Sequence, residues 1–319
     1  MPISDRARPD LDPISIQSRT DPEPLSALTR TDLGTDVAAA PSGSNLRAHL
    51  PLAPAARYGS AMFGQALDGW VLTPEVRHLN HGSFGAQRTA ALAAQEQIRR
   101  AIEAAPMTYF ASRWQADLDR ARARVGAEVG ADPLQLAWLS NASAGTATAL
   151  ANLGLRPGEE ILYTDHAYRA CRHQIVRAAE RAGARARCIV LPERVEAASQ
   201  LSSAIVGAFT PSTRALVLDH IASASALVFD VAAIVAAARE RNITTIIDGA
   251  HAPGHIALDI AAIGADYYVG NAHKWWCGPR GVGFLWVAAA HCDRTLPLIT
   301  SHRDDPRHGP PHRFFARHD

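Results

Sequence analysis

Lysine is nearly absent from this chain. Of the 32 basic side chains in 319 residues, 31 are arginine and one, Lys274, is lysine. Other features are missing too. No apolar run is long enough to span a bilayer, and the first residues, MPISDRARPD, lack the apolar segment of a secretory signal. The four cysteines, Cys171, Cys188, Cys277 and Cys292, show no CxxC spacing, so neither a disulfide framework nor a zinc knuckle is indicated. The net charge is +1, which supplies no global field for nucleic acid or for an anionic membrane surface. Together these absences lead to the expectation of a cytoplasmic globular protein with free thiols, no nucleic-acid partner and no membrane partner.

What is present is organised. Eight of the twenty prolines fall in residues 1–60, among Asp, Ser, Thr and Arg with no sustained period, and this stretch reads as a disordered tail. Alanine-rich helical patterns follow, first from Ser83 and then from Ala111. Seven short β-branched or apolar runs come next: LQLAWL (134–139), EILYTD (160–165), ARCIVL (186–191), RALVLDH (214–220), NITTIID (242–248), ADYYVG (265–270) and GVGFLWV (281–287). Helix-like stretches such as AYRACRHQIVRAAERAG separate several of them. This alternation predicts an α/β fold, a mostly parallel sheet with helices on both faces. In such sheets ligands sit at the carboxyl ends of the strands.

The strand ends carry the chemistry. SNASAG follows the first run and opens a helix, where unpaired N–H groups and the helix dipole suit a phosphate. His166 and Tyr168 follow the second run, Asp219 and His220 end the fourth, and Asp248 ends the fifth. ADYYVG leads into Asn271, His273 and Lys274. Each has a plainer reading: SNASAG as an N-capped helix start, Asp248 as a turn cap, His166 as part of a loop pair. His251 and His255 in HAPGH do not read as a metal site, because the intervening Pro and Gly break the helical face that this spacing would use. Lys274 answers a different need. Arginine stays protonated at ordinary pH, whereas a desolvated lysine can lose its proton and attack a carbonyl. A phosphate cradle, an acid at a strand end, an aromatic face and one amine together describe what pyridoxal phosphate requires.

These motifs resemble the class V aminotransferase family of pyridoxal-phosphate enzymes, in particular its isopenicillin-N epimerase-like branch. The matching stretches are HLNHGSFGA (78–86), SNASAGTATAL (140–150), TDHAYRACR (164–172), LDHIASASALVFDV (218–231), IIDGAHAPGHIALDI (246–260) and GADYYVGNAHKWWCGPRGVGFLWV (264–287). The resemblance implies an aspartate-aminotransferase-like large domain over residues 61–295 that binds pyridoxal 5'-phosphate. It matches Lys274 to the aldimine lysine and Asp248 to the acid on the ring nitrogen. His251 matches the partner of the ring hydroxyl, and His166 the imidazole stacked on the ring. Ser143 and Ala144 match the residues whose amides hold the phosphate, with Asn271 and His273 adding contacts there. His220 and Ser223 match positions on the cofactor's other edge, and His81 and Ser83 positions on the substrate side. The family continues into a smaller C-terminal domain carrying an arginine for the substrate carboxylate. Here residues 296–319 match only its start, so that domain is expected to be missing. The expected protein is a homodimer acting at Cα of a small-molecule amino acid, epimerase-like, with aminotransferase, β-lyase and a non-catalytic cofactor-binding remnant as alternatives.

Overall fold

A computed structural model describes residues 69–73, 76–300 and 313–318. The expected tail, residues 1–60, lies outside them, and the expected second-domain start is described only over 296–300 and 313–318. The rest is built on one seven-stranded sheet. In chain order its strands are β1 (Leu136–Leu139), β2 (Glu160–Thr164), β3 (Arg185–Ile189), β4 (Thr213–Asp219), β5 (Thr244–Asp248), β6 (Tyr267–Asn271) and β7 (Gly283–Val287). Their spatial order is β1-β7-β6-β5-β4-β2-β3. The run from β3 to β6 is parallel, while β7 pairs antiparallel with both β6 and β1.

The direction of β7 follows from its connection. Parallel neighbours need a crossover of a dozen or more residues, normally through a helix. The segment between Asn271 and Gly283 is too short for that and returns directly, and it is this return that carries Lys274.

Strands buried on both faces read as continuous apolar runs, and here alternate residues divide between two cores. Leu216 and Leu218 of β4, Ile247 of β5, Tyr268 of β6, and Phe284 and Trp286 of β7 face one core. Ala215, Val217, Ile246, Tyr267, Val269, Leu285 and Val287 face the other. Helices α1 (Thr89–Ala104) and α2 (Trp114–Val129) precede the sheet, and α3 (Ala142–Ala151), α4 (Arg169–Ala182), α5 (Ala198–Gly207) and α6 (Val231–Arg239) connect its strands. Leu201 and Ile205 of α5 join Ile234 and Val235 of α6 in covering the first face. Ala149 and Leu150 of α3, with Ile175 and Ala179 of α4, cover the second. The expected α/β architecture with helices on both faces is therefore present. No helix among the described residues is long and apolar enough to cross a membrane.

One charged group is built into the frame far from the strand ends that matter below. Glu160, at the start of β2, is fully buried. Its carboxylate accepts from Arg187 Nε (3.0 Å) and Nη2 (2.9 Å), and from the Thr210 and Thr213 hydroxyls at 2.8 and 2.7 Å. The Arg187 hydrogen bonds dominate and hold the Glu160 carboxyl down at about 2, against the opposing effect of burial. A carboxyl depressed in the folded state stabilises above its unfolded value of 4.5 and loses that contribution as pH falls toward about 2. Glu160→Gln is therefore expected to cost about 3 kcal/mol near neutral pH, the low end for breaking a buried pair because Arg187 keeps partial access to water. Urea unfolding of the two proteins checks this: the gap should be widest at neutral pH and should narrow as pH falls through that window.

Candidate active site

The carboxyl ends of β4, β5 and β6 bring in Asp219, Asp248 and Asn271, with Asp219 in register with Asp248 and Asn271 two residues beyond Val269, the register partner of Asp248. All three are buried. Asp248 accepts the Ala250 N–H on Oδ1 at 3.0 Å and the Cys171 thiol of α4 on Oδ2 at 3.2 Å. Burial, and then the charge of Asp248, hold the Asp219 carboxyl well above the usual carboxylate range, against the pull of the Asp219 and Tyr168 backbone amides.

Lys274 enters from the β6–β7 return. A turn fixes its backbone, with Cys277 N–H donating to Lys274 O (3.0 Å) and Gly278 N–H to Ala272 O (2.9 Å). Its Nζ lies 3.1 Å from His251 Nε2 and 5.9 Å from the centre of the Tyr168 ring. Burial pushes the Lys274 ammonium down from its ordinary range, and the opposing charges of Asp248, Cys171 and Asp219 do not outweigh it. Burial first, then the positive charge of Lys274, push His251 down to about 4, so its ring is neutral at ordinary pH. His251 Nδ1 accepts from Trp275 Nε1 at 3.2 Å.

The start of α3 forms one wall. Asn271 Oδ1 accepts the Ala142 N–H (2.8 Å), and the N-cap Asn141 Oδ1 accepts the Ala144 N–H (2.9 Å). Between them the Ser143 N–H has no acceptor among the described residues. The helix-start amide of Ser143 and the helix dipole are therefore available to an anion.

A cleft of about 450 Å³ joins these parts. Lys274, His251, Ser143, Asn271, His273, Ser223 and Ser83 line it, together with Asn80, Gly82, Phe84, Asn141 and Tyr168. The N-terminal segment can reach in only because of its glycines. A Cβ on Gly82 would stand 2.8 Å from the His251 ring and 2.9 Å from Trp275, and one on Gly85 would stand 2.2 Å from the His273 carbonyl oxygen.

The other residues singled out from the sequence sit as follows. Asp248 lies buried beneath the cleft. His220 is also buried, its Nδ1 2.8 Å from Tyr268 Oη, and burial pushes it down to about 4. His273 donates through Nδ1 to the Val282 carbonyl (2.9 Å). The Ala144 amide is taken up by Asn141. The His166 ring turns to Ser225 Oγ (2.7 Å), and Tyr168 supplies the aromatic lining. His81 meets Cys277 Sγ at 3.4 Å and packs against Trp70. Cys171 and Trp275 are the additions that the structure makes, and it pairs Asp219, named above as a strand end, with Asp248. A rule that reads strand ends in register would have found that pair; no local signal marks Cys171.

Chemically, the cleft offers a neutralisable amine, a carboxylate with a proton-bearing neighbour, and a helix start able to take an anion. That set suits a phosphorylated, basic heteroaromatic aldehyde.

The chain is similar to known proteins in sequence and in fold. Residues 90–302 match the family model for class-V aminotransferases. An isopenicillin N epimerase of Streptomyces clavuligerus is 35% identical over 239 residues, which cover 75% of this chain and 60% of the epimerase. A putative L-cysteine desulfhydrase of Oryza sativa subsp. japonica is 32% identical over 225 residues, 66% of this chain and 47% of that protein. Among solved structures, the cystine C–S lyase C-DES in complex with its reaction product cysteine persulfide superposes with a TM-score of 0.64 at 25% identity, over 71% of this chain and 61% of that one. This chain spans about 60% or less of the length of the two sequence relatives.

The thiols should report the burial of the site. Burial, then the charge of Asp248, push the Cys171 thiol strongly up, whereas Cys188 is exposed. Since the thiolate is the reactive form, iodoacetamide near pH 8 should label Cys188 in the folded protein and leave Cys171 unmodified until denaturant is added. Peptide mass mapping over time reads both; equal labelling rates would contradict the described packing.

Proposed function

The chain belongs to the class-V aminotransferase family, and we propose that it is a pyridoxal-phosphate-dependent enzyme acting at Cα of an amino acid, in the manner of an isopenicillin N epimerase. The observation that carries this is the chain's only lysine, half-buried with Nζ 3.1 Å from a neutral His251, in one cleft with a helix-start amide that has no acceptor among the described residues, and near buried Asp248. The fit to pyridoxal phosphate rests on the α3 start: Ala142 and Ala144 are capped by Asn271 and Asn141, while the Ser143 amide between them meets no acceptor among the described residues.

When bound, pyridoxal phosphate supplies a reactive aldehyde carbon and a pyridinium ring that withdraws electrons from the substrate's Cα. The chain's own residues do the rest. The Ser143 amide and the α3 dipole hold the phosphate, with the side chains of Ser143, Asn271 and His273 around it. Asp248 holds a proton on the ring nitrogen. Cys171 donates to one oxygen of Asp248 and the Ala250 N–H to the other, so Asp248 stays oriented as the acceptor. Lys274 Nζ would be the amine that meets the aldehyde, and as a free base it would move the proton at the substrate's Cα. His251 orders that amine, Tyr168 covers the aromatic face in the position assigned to His166 by resemblance, and Ser223 lines the opposite edge. Ser83 and exposed Phe84 line the side open to substrate. His220 supports the floor through Tyr268, and His81 supports the Lys274 turn through Cys277. The homodimeric assembly and cytoplasmic location expected for the family belong to the same proposal.

β-Elimination is the second reading, favoured by the 32% identity to a putative L-cysteine desulfhydrase. Both readings are tested by incubating the protein and pyridoxal phosphate with a panel of L- and D-amino acids in D₂O. Exchange of the Cα hydrogen and appearance of the opposite enantiomer are expected. Release of sulfide and pyruvate from cysteine would establish the second reading, and no exchange with any amino acid would overturn both. Asp248→Asn keeps the volume but cannot hold the ring proton. Loss of about 3 kcal/mol from one buried charged partner predicts exchange slower by on the order of 100-fold.

A further inference from the structure

The hydrogen bonds around His251 fix more than its position. Trp275 Nε1 carries a hydrogen and can only donate, so His251 Nδ1, 3.2 Å away, must be the bare nitrogen of the ring. A neutral imidazole with a bare Nδ1 carries its hydrogen on Nε2. That N–H points at Lys274 Nζ, 3.1 Å away. An ammonium there has no lone pair to accept it, and two donors would face each other. A free amine accepts it. The Trp275 bond and a protonated Lys274 are therefore incompatible with the 3.1 Å contact.

We propose that Trp275 is a positioning residue: through the chain Trp275 Nε1–H to His251 Nδ1, and His251 Nε2–H to Lys274 Nζ, it selects the tautomer that keeps the sole lysine as its free base. The inference rests on the proposed role of Lys274, and it accounts for two features that role alone leaves unexplained. The indole is held where its N–H must point at the imidazole, stacked on the His255 ring (centroids 4.4 Å apart, 26° between planes). The N-terminal segment also closes over the pair, since a Cβ on Gly82 would collide with both rings.

The other groups facing the amine are accounted for. Asp248 of β5 and Asp219 of β4 favour an ammonium, as a thiolate at Cys171 of α4 would; Tyr168 presents its ring. Burial, which opposes them, is not specific to direction. The relay is specific: it stabilises the amine only in the protonation state in which Nζ accepts. Facing His251 itself are His255 and, in its protonated form, Lys274; either charge disfavours a second proton on the ring, as burial does first.

Without the indole N–H, the ring is free to carry its hydrogen on Nδ1 and to accept from an ammonium through Nε2. Trp275→Phe removes the N–H and keeps an aromatic ring against His255. The test uses the full chain without cofactor. Trace acetylation across a pH series, read by peptide mapping, follows one amine, because Lys274 is the only lysine. The midpoint of Lys274 reactivity is expected to rise by about one pH unit in Trp275→Phe, a tenfold lower reactivity below the midpoint. An unchanged midpoint in a folded variant would overturn the proposal.

A second measurement needs no variant of the indole. Histidine ¹⁵N spectra of the wild-type chain near neutral pH, with the His251 signal identified by its loss in His251→Gln, should show protonated Nε2 and bare Nδ1. The opposite tautomer, or a doubly protonated ring, would equally overturn it. Both readouts are made without pyridoxal phosphate, so failure of the chain to bind that cofactor would remove the proposed function and leave this result to stand or fall separately.

Discussion

The active-site cleft depends on burying one primary amine at the carboxyl end of a parallel sheet. A solvated lysine is an ammonium and a poor nucleophile; burial penalises its charge and moves the amine toward the reactive form. Burial also creates a difficulty, because two carboxylates lie beneath it. Burial and the charge of Asp248 push the Asp219 carboxyl up, toward its neutral form, and Asp248 is tied to Ala250 N–H and Cys171. No arginine could take this place, since a guanidinium cannot be neutralised. That accounts for one lysine standing in a chain whose other 31 basic side chains are arginine.

Sheet topology decides which residues meet the amine. Five parallel strands bring Asp219, Asp248 and Asn271 to one edge, and the direct return into antiparallel β7 brings Lys274 back over them. The same return supplies Trp275 and His273, so one short loop contributes the amine, the indole and an imidazole. Asn271 links this loop to the opposite wall by capping α3, which leaves the Ser143 amide as the anion-facing donor. Gly82 and Gly85 let the N-terminal segment close the remaining side without displacing His251 or the Lys274 backbone.

Much of this was legible in the sequence. All seven strands fall within the apolar runs that marked them to within two residues or so, because strands buried on two faces leave an unbroken apolar signature. Lys274 and Asp248 stood out by rarity and by strand-end position. What was not legible depends on distance rather than pattern. The reversal of β7 is a matter of connection length. Asp219 was visible as a strand end, but its pairing with Asp248 needs the β4–β5 register. Cys171 looks like any apolar helix position until α4 is packed over Asp248. His166 and Tyr168 lie two residues apart, and only the structure shows that Tyr168 lines the cleft while His166 meets Ser225. The bond from Trp275 to His251 joins residues 24 apart across a turn, and no spacing rule encodes it.

The central claim is that Lys274 is the group that takes hold of an aldehyde in this cleft. The direct measurement is to mix the full chain with pyridoxal phosphate, reduce with borohydride, and map the modified peptide by mass spectrometry. The account predicts visible absorbance that bleaches on reduction, with a single pyridoxyl adduct on Lys274. Because no other lysine exists to carry the adduct, a label confined to the amino terminus, with Lys274 unmodified, would contradict the account.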